Sequence, residues 1–506
     1  MKKLLSALSA SLLATAALAQ TTPPPATPQY RPAYHFTPAA HWMNDPNGMV
    51  YYQGTYHLFF QYYPGGMVWG PMHWGHATSS DMLRWQEQPI ALYPDSLGYI
   101  FSGSAVVDAN NTAGFGKNAL VAIFTHHDPQ LEKTDPGHSQ KQSLAYSLDA
   151  GKTWMKYHGN PVLKSPGIVD FRDPKVTWNA QAKQWLMTLA TKDRITFYTS
   201  PNLKTWTKAS EFGEKLGAHG GVWECPDLFP LTLNGKTHWV LIVNLNPGGP
   251  NGGSATQYFV GDFDGRTFTP LTTKTKWADY GPDEYAGVTW ENTGARRLFL
   301  GWMSNWEYGN QVPTSPWRSA MTIPRELGLR QEGAEIYLTS QPATEVGRLA
   351  TAPTTLANVA VKNTVDLTAR LKTTNAKRRL ALRTAQLAGF ELVLGNAAGE
   401  ELVVGYDAAA KQYFIDRSKS GNVKFSPKFN GRSTAPRLTT ALAADLTLYL
   451  DAASVELFAD HGLTAMTAIF FPSKPLTTVR LRSAQGVTWQ EISSAALVVK
   501  PAAQQN

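Results

Sequence analysis

Cysteine is nearly absent: Cys225 is the only one in 506 residues. That excludes an intrachain disulfide framework and a cysteine-based zinc site. Charge is scarce as well, at 17% Asp, Glu, Lys and Arg against a usual share of roughly 25%. With 43% hydrophobic and 11% aromatic residues, the chain lacks the composition of a disordered protein. Basic runs are short, Lys377-Arg378-Arg379 and Arg296-Arg297 being the densest. Without a continuous basic stripe the net charge of +8 reads as a modestly positive surface, not as a nucleic-acid footprint. Beyond the first twenty residues no segment reaches the ~18 apolar residues of a membrane span. The plentiful Gly (41) and Pro (33) argue against long helical bundles.

The amino terminus has the form of an export signal. Lys2 and Lys3 precede an apolar stretch, Leu4 to Leu18, and Ala17-Leu18-Ala19 makes an A-x-A cleavage pattern. Residues 1–19 are expected to be a leader, with an uncleaved anchor as the alternative, and residues 20–33 a Pro/Thr-rich tether. The mature chain, of net charge +6 without Lys2 and Lys3, is then secreted or periplasmic and free of the membrane.

The length allows two to four domains, and tryptophan divides the chain. Fifteen of the 16 lie between Trp42 and Trp317; only Trp489 lies beyond. Strand-like runs fill the N-terminal part, among them Tyr56 to Tyr62, Leu120 to Thr125 and His238 to Val243. After such runs one pattern recurs: Ser80-Asp-Met-Leu-Arg-Trp85, Ser147-Leu-Asp-Ala-Gly-Lys-Thr-Trp154, Ser200-Pro-Asn-Leu-Lys-Thr-Trp206 and, more weakly, Gly261-Asp-Phe-Asp-Gly-Arg-Thr-Phe268. Four loose repeats of about one antiparallel sheet each, with room for a fifth, suggest a β-propeller over 34–338. An irregular β protein is the competing reading. The C-terminal part alternates with period two, as in Leu446-Thr-Leu-Tyr-Leu450, and is expected to form a β-sandwich over 339–502.

A propeller gathers its inner strand ends around one pocket, so functional residues should come from distant motifs. Three acidic positions fit: Asp45 in His41-Trp-Met-Asn-Asp-Pro-Asn-Gly48, Asp173 in Val169-Asp-Phe-Arg-Asp-Pro-Lys175 and Glu224 in Gly221-Val-Trp-Glu-Cys-Pro-Asp227. Each has a plain structural reading: a turn former, a surface pair with Arg172, a solvent-facing strand end. Against these, Trp42 is hard to explain in a solvated turn, and Glu224 between Trp223 and Cys225 has the apolar setting that raises a carboxyl's pKa for general-acid work.

Together these segments resemble the signature blocks of glycoside hydrolase family 32, the β-fructosidases, in the family's order. Phe101-Ser-Gly-Ser-Ala105, Ile415-Asp-Arg-Ser-Lys-Ser-Gly-Asn422 and Ser454-Val-Glu-Leu-Phe-Ala-Asp460 extend the likeness over nearly the whole mature chain. The resemblance implies an all-β fold, a five-bladed β-propeller followed by a β-sandwich. It implies Asp45 as nucleophile, Glu224 as acid/base and Asp173 as transition-state stabiliser. It places Asn44, Gln61, Trp69, Ser104 and Arg172 around the terminal fructosyl unit, with Trp306 offering a further apolar face. It calls for no metal or cofactor. His73 with His76, and His126-His127-Asp128, lack a converging third ligand set. Cys225 is expected to pack as a small hydrophobe beside Glu224.

Gln61 to His76 and Trp302 to Arg318 resemble the exo-acting levanase and exo-inulinase branch. This implies removal of terminal fructose from levan or inulin, and cleavage of sucrose; a sucrose-preferring invertase, a fructosyltransferase and a catalytically silent fructan-binding protein are the alternatives. Glu284, in Asp279-Tyr-Gly-Pro-Asp-Glu-Tyr285, departs from the related pattern and would alter the pH response if it bordered the pocket.

Overall fold

The strand-like runs of the N-terminal part resolve into five antiparallel sheets arranged as propeller blades. The structure is a computed structural model and describes residues 28–429 and 431–499; the leader lies outside them. From the inside outward, blade I runs His41–Tyr52, Thr55–Tyr63, His73–Ser79 and Gln86–Leu92. Blade II runs Tyr99–Asp108, Ala119–His127, Gln140–Ser147 and Met155–Lys156. Blade III comprises Phe171–Asn179, Gln184–Thr191, Arg194–Ser200 and Thr207–Phe212, and blade IV Val222–Leu233, Lys236–Asn246, Ala255–Phe263 and Phe268–Pro270. Blade V comprises Tyr285–Thr289, Leu298–Met303, Arg325–Glu332 and Glu335–Pro342. Each inner strand touches the next, and the first touches the last. The ring is closed by backbone bonds between Tyr51 N–H and Glu291 O (2.9 Å) and between Glu291 N–H and Met49 O (3.0 Å).

The recurrent motif is the turn between the third and fourth strands of blades I to IV. Its acidic or amide side chain accepts from backbone N–H groups two to four residues on: Asp81 from Leu83 and Arg84, Asp149 from Thr153, Asn202 from Lys204 and Thr205, Asp264 from Arg266 and Thr267. Asp and Asn suit this because a short polar side chain mimics a backbone turn. Blade V makes the same connection with a tight hairpin at Glu332–Glu335, which is why the motif has no fifth copy.

The C-terminal strands form one continuous sheet folded into two layers. The long strand Thr478–Ala496 joins them, pairing with Phe390–Gly395 through its first residues and with Arg378–Thr384 through its last. Leu392, Val404, Leu448, Leu457 and Trp489 lie in the core between. Blade V closes at Pro342, and a 3-10 turn, Thr344–Leu349, leads into the sandwich, so the junction lies a few residues beyond position 338.

Part of the expected tether belongs to the fold. Gln29 Nε2 donates to Pro472 O (2.8 Å), the Arg31 guanidinium lies 3.7 Å from the Trp317 ring centre, and Ala33 N–H donates to Asp451 (2.9 Å). Charged groups then lock propeller to sandwich. Asp279 accepts from Thr467 N–H (2.9 Å) and Arg325 (2.8 Å), Arg325 reaches Glu456 (2.6 Å), and Asp283 accepts from Arg417 (2.6 Å) and Ile469 N–H (2.9 Å). Buried charges are tolerable only when paired in this way.

Candidate active site

All five inner strands break register with their neighbours at the same level: Met43/Pro46, Ile100/Gly103, Arg172/Lys175, Glu224/Asp227 and Tyr285/Val288. A bulge sets two residues against one and re-aims their side chains. Residues at or beside these bulges line the central cavity: Asn44 and Asp45, Phe101 and Ser102, Arg172 and Asp173, and Glu224. The upper tier is Asn44, Phe101, Arg172, Glu224 and Tyr285; the lower is Asp45, Ser102, Asp173, Cys225 and Ala286. Three of the lower five, Asp173, Cys225 and Ala286, have positive φ of 63°, 41° and 52°. Next comes Pro46, Gly103, Pro174, Pro226 or Gly287. Proline fits a bulge because no ladder donor is needed there. Glycine fits because a Cβ on Gly103 would stand 2.0 Å from Ile123 O. In blades III and IV the pairs Asp173-Pro174 and Cys225-Pro226 are thus the bulged residues; in blade I they are Asn44 and Asp45, with Pro46 the next paired residue.

The cavity is about 290 Å³ and includes Asn44, Asp45, Gln61, Trp69, Arg172, Asp173, Glu224 and Trp306 in its wall. Trp42, fully buried, donates from Nε1 to Asn44 Oδ1 (2.7 Å), which turns Asn44 Nδ2 onto Asp45 Oδ1 (2.8 Å). Ser102 Oγ donates to the other oxygen, Asp45 Oδ2 (2.7 Å). Asp173 Oδ2 accepts from Cys225 N–H (3.0 Å), and the Cys225 thiol lies 3.6 Å from both Asp45 Oδ2 and Asp173 Oδ2. Arg172 donates to Glu224 Oε1 from Nε (3.1 Å) and Nη2 (2.9 Å), and the Tyr285 hydroxyl donates to Glu224 Oε2. Trp69, 40% exposed, stands at the rim. Its backbone N–H donates to Asn310 Oδ1 (2.9 Å), joining its loop to the segment after Trp306. Trp306 stacks on Trp42 at 5.8 Å.

Electrostatically the floor is crowded with acid. Burial and the Glu224 charge raise the Asp45 pKa, while the bonds from Asn44 and Ser102 hold it down. Burial, with Glu224 and Asp45 nearby, pushes Asp173 up to about 7 against the pull of Arg172. Burial and the same carboxylates push the Cys225 thiol well above its ordinary value. It therefore stays protonated as a weak donor between two carboxylates, a closer involvement than apolar packing.

Three sequence expectations need correction. Ser104 is not at the cavity. It lies two residues past the bulge, below the Pro/Gly level, where its Oγ donates to Pro174 O (2.9 Å) and accepts from Val176 N–H (2.9 Å); Ser102 is the serine in the wall. Glu284 does not border the pocket: it points away from its neighbour Tyr285 and is buried beside Gly287 and Gly301. Glu224 is not in an apolar setting, because Trp223 turns to the opposite side of the strand and leaves Glu224 to Arg172 and Tyr285. Sequence reasoning also missed Phe101, His127, Glu132, Gln140 and Asp170 in the wall. Phe101 and Ser102 were findable from Gly103, which stands where the acidic motifs carry proline. The histidines set aside as metal ligands have other partners: His76 Nε2 bonds His57 Nδ1 (3.0 Å) and His126 Nδ1 bonds Ser143 Oγ (2.8 Å).

Residues 35–342 match the model of the glycosyl hydrolases family 32 N-terminal domain, and residues 345–498 the model of the family 32 C-terminal domain. A levanase of Bacillus subtilis is 48% identical over 474 residues, covering 90% of this chain and 68% of its own. An extracellular exo-inulinase of Aspergillus niger is 42% identical over 499 residues, covering 91% and 93%. Among solved structures, the exo-inulinase of Aspergillus awamori superposes with a TM-score of 0.84 at 39% identity, covering 93% of this chain and 98% of that one. The β-fructofuranosidase of Schwanniomyces occidentalis, complexed with fructosyl-erythritol, gives 0.84 at 32% identity with the same coverage. Matched by both family models along almost all its described residues, the chain belongs to glycosyl hydrolase family 32.

Proposed function

We propose that this chain is an exo-acting fructan β-fructosidase. It removes terminal non-reducing β-D-fructofuranosyl units from levan or inulin and splits sucrose, with net retention. The observation that carries this reading is the convergence of Asp45, Asp173 and Glu224, from three blades, on one cavity of about 290 Å³, at the lower end of the ~300–1,000 Å³ usual for ligand sites. A cavity that small suits a single terminal sugar better than the run of units an endo enzyme must hold. Export, carried over from the leader pattern, agrees with the extracellular designation of the exo-inulinase relative.

In the proposed reaction Glu224 gives its proton to the departing glycosidic oxygen while Asp45 attacks the anomeric carbon of fructose from the opposite face. Donors on both Asp45 oxygens fix the plane of that carboxylate. The fructosyl-enzyme forms through an oxocarbenium-like transition state, and Glu224, now a base, draws a proton from the water that releases fructose. Asp173, steadied by the Cys225 N–H, accepts from fructosyl hydroxyls. Tyr285 and Arg172 hold the Glu224 carboxyl between them, so it need not search for its proton-transfer geometry.

Product analysis tests the reading. Incubation with levan, inulin or sucrose is expected to give free fructose from the first time points. Early oligosaccharides without fructose would overturn the exo assignment, and no cleavage of any of the three would overturn the enzyme.

A further inference from the structure

One side of the cavity has no part in holding the terminal fructosyl unit or in the chemistry above. It is built by blade II at the mouth, where His127 and Gln140 are the last paired residues of two neighbouring strands. Glu132 comes from the short helix Leu131–Thr134 that connects those strands. The Glu132 side chain is 57% exposed, which marks the cavity's opening, whereas Asp45 and Asp173 lie on its floor. A substrate seated with its fructosyl unit on the floor can therefore rest its leaving group against this wall.

The wall's hydrogen bonds run in one direction. Glu132 Oε2 lies 3.3 Å from His127 Nε2, and a carboxylate there calls for the tautomer with its proton on Nε2. His127 Nδ1 is then an acceptor, and Gln140 Nε2 stands 3.4 Å from it as donor. The imidazole is also clamped flat on Phe101, centroids 4.3 Å apart and planes at 8°. The Gln140 amide is thereby oriented, and its Oε1 is left over. That oxygen is buried and has no hydrogen-bond partner among the described residues, although Gln140 is only 4% exposed. A buried acceptor without a donor is destabilising, and Gln140 lies in the cavity wall, so a group supplied from the cavity is called for. A sugar hydroxyl has the right chemistry.

We propose that Gln140 Oε1 accepts a hydroxyl of the departing sugar unit, with His127 and Glu132 as positioning residues, and that this contact favours sugar leaving groups over small ones. The proposal rests on the fructosidase reading. Its test compares kcat/KM on an inulin-type or levan-type trisaccharide with kcat/KM on β-D-fructofuranosyl fluoride, whose leaving group carries no hydroxyl. In Gln140→Met, which keeps the volume and removes the acceptor, the trisaccharide-to-fluoride ratio is expected to fall about tenfold. Glu132→Leu is expected to lower it by a smaller factor, and Glu132→Gln, which still accepts from His127, to restore most of it. An unchanged ratio in Gln140→Met overturns the proposal, as does an equal fall on both substrates. If the parent chain cleaves neither substrate, the fructosidase reading itself is overturned.

Discussion

The two serines of Phe101-Ser-Gly-Ser-Ala105 show how much depends on a single step along an inner strand. Ser102 sits in the lower tier and donates to Asp45; Ser104, two residues on, ties blade II to the backbone of blade III. Ser102→Ala is expected to lower kcat about tenfold or more with little change in thermal unfolding, because one donor to Asp45, the proposed nucleophile, is lost. Ser104→Ala is expected to leave a buried carbonyl and N–H unpaired and to cost about 1–3 kcal/mol of stability, read by urea unfolding. The three carboxylates were legible in the sequence because each lies in a motif whose proline marks a bulge. The tier as a whole was not, since glycine replaces proline in blades II and V. Tyr285 went unnoticed beside Glu284 for a related reason. Adjacent strand residues point to opposite faces, and sequence alone does not say which of the two faces inward.

At the scale of elements, the propeller is a repeated strand-and-turn unit with one bulge in the same place each time. The turn repeats were readable because an Asp or Asn side chain does the same hydrogen-bonding work in four blades. The bulges were readable only where proline marks them. Gly103 supplies a direct test of their role. A methyl group there would meet Ile123 O at 2.0 Å and backbone cannot yield as a side chain can. Gly103→Ala is expected to destabilise by about 1–3 kcal/mol or more, lowering Tm by several degrees, and to reduce activity by displacing Ser102 from Asp45. Gly54→Ala is the comparison: its φ is +81° but a Cβ there meets nothing within 4 Å, so it carries backbone strain without collision and should leave activity intact.

Over the whole molecule the sandwich is bound to the propeller by buried charge, and pH should act on that seam. Glu284 lies near it, its carboxyl pushed up to about 8 by burial and by Asp279 against the pull of Arg325, and both its oxygens lack partners among the described residues. Its folded pKa exceeds the unfolded value of about 4.3–4.5, so the folded state holds the proton across that window and loses stability as pH rises toward 8. Glu284→Gln is expected to match the parent near pH 5 and to be more stable by on the order of 1–3 kcal/mol at pH 8, measured by denaturant unfolding at both. Histidines act at the acid end. Burial lowers His57 to about 4, His76 to about 3 and His126 to about 4. The unfolded chain therefore binds protons first as pH falls below about 6.5, and stability declines from there toward pH 4. His35 has the opposite sign. Despite burial, Asp451 and Glu456 hold it protonated up to about 9, so its contribution is full below about 6.5 and disappears as pH rises through 9. The two-domain all-β organisation was legible from alternation and from the place where tryptophan stops. The seam was not, because Asp279, Asp283, Arg325, Arg417 and Glu456 are far apart in sequence and meet only in the fold.

In the proposed reaction Asp45 and Glu224 carry out a retaining double displacement in the propeller cavity. Turnover of sucrose by Glu224→Ala with added azide, the product identified by NMR, is the decisive measurement. The expected result is a loss of about 10²–10⁴-fold in turnover, partly restored by azide, with β-D-fructofuranosyl azide as the product. Azide in the α configuration, or turnover undiminished in Glu224→Ala, would contradict it.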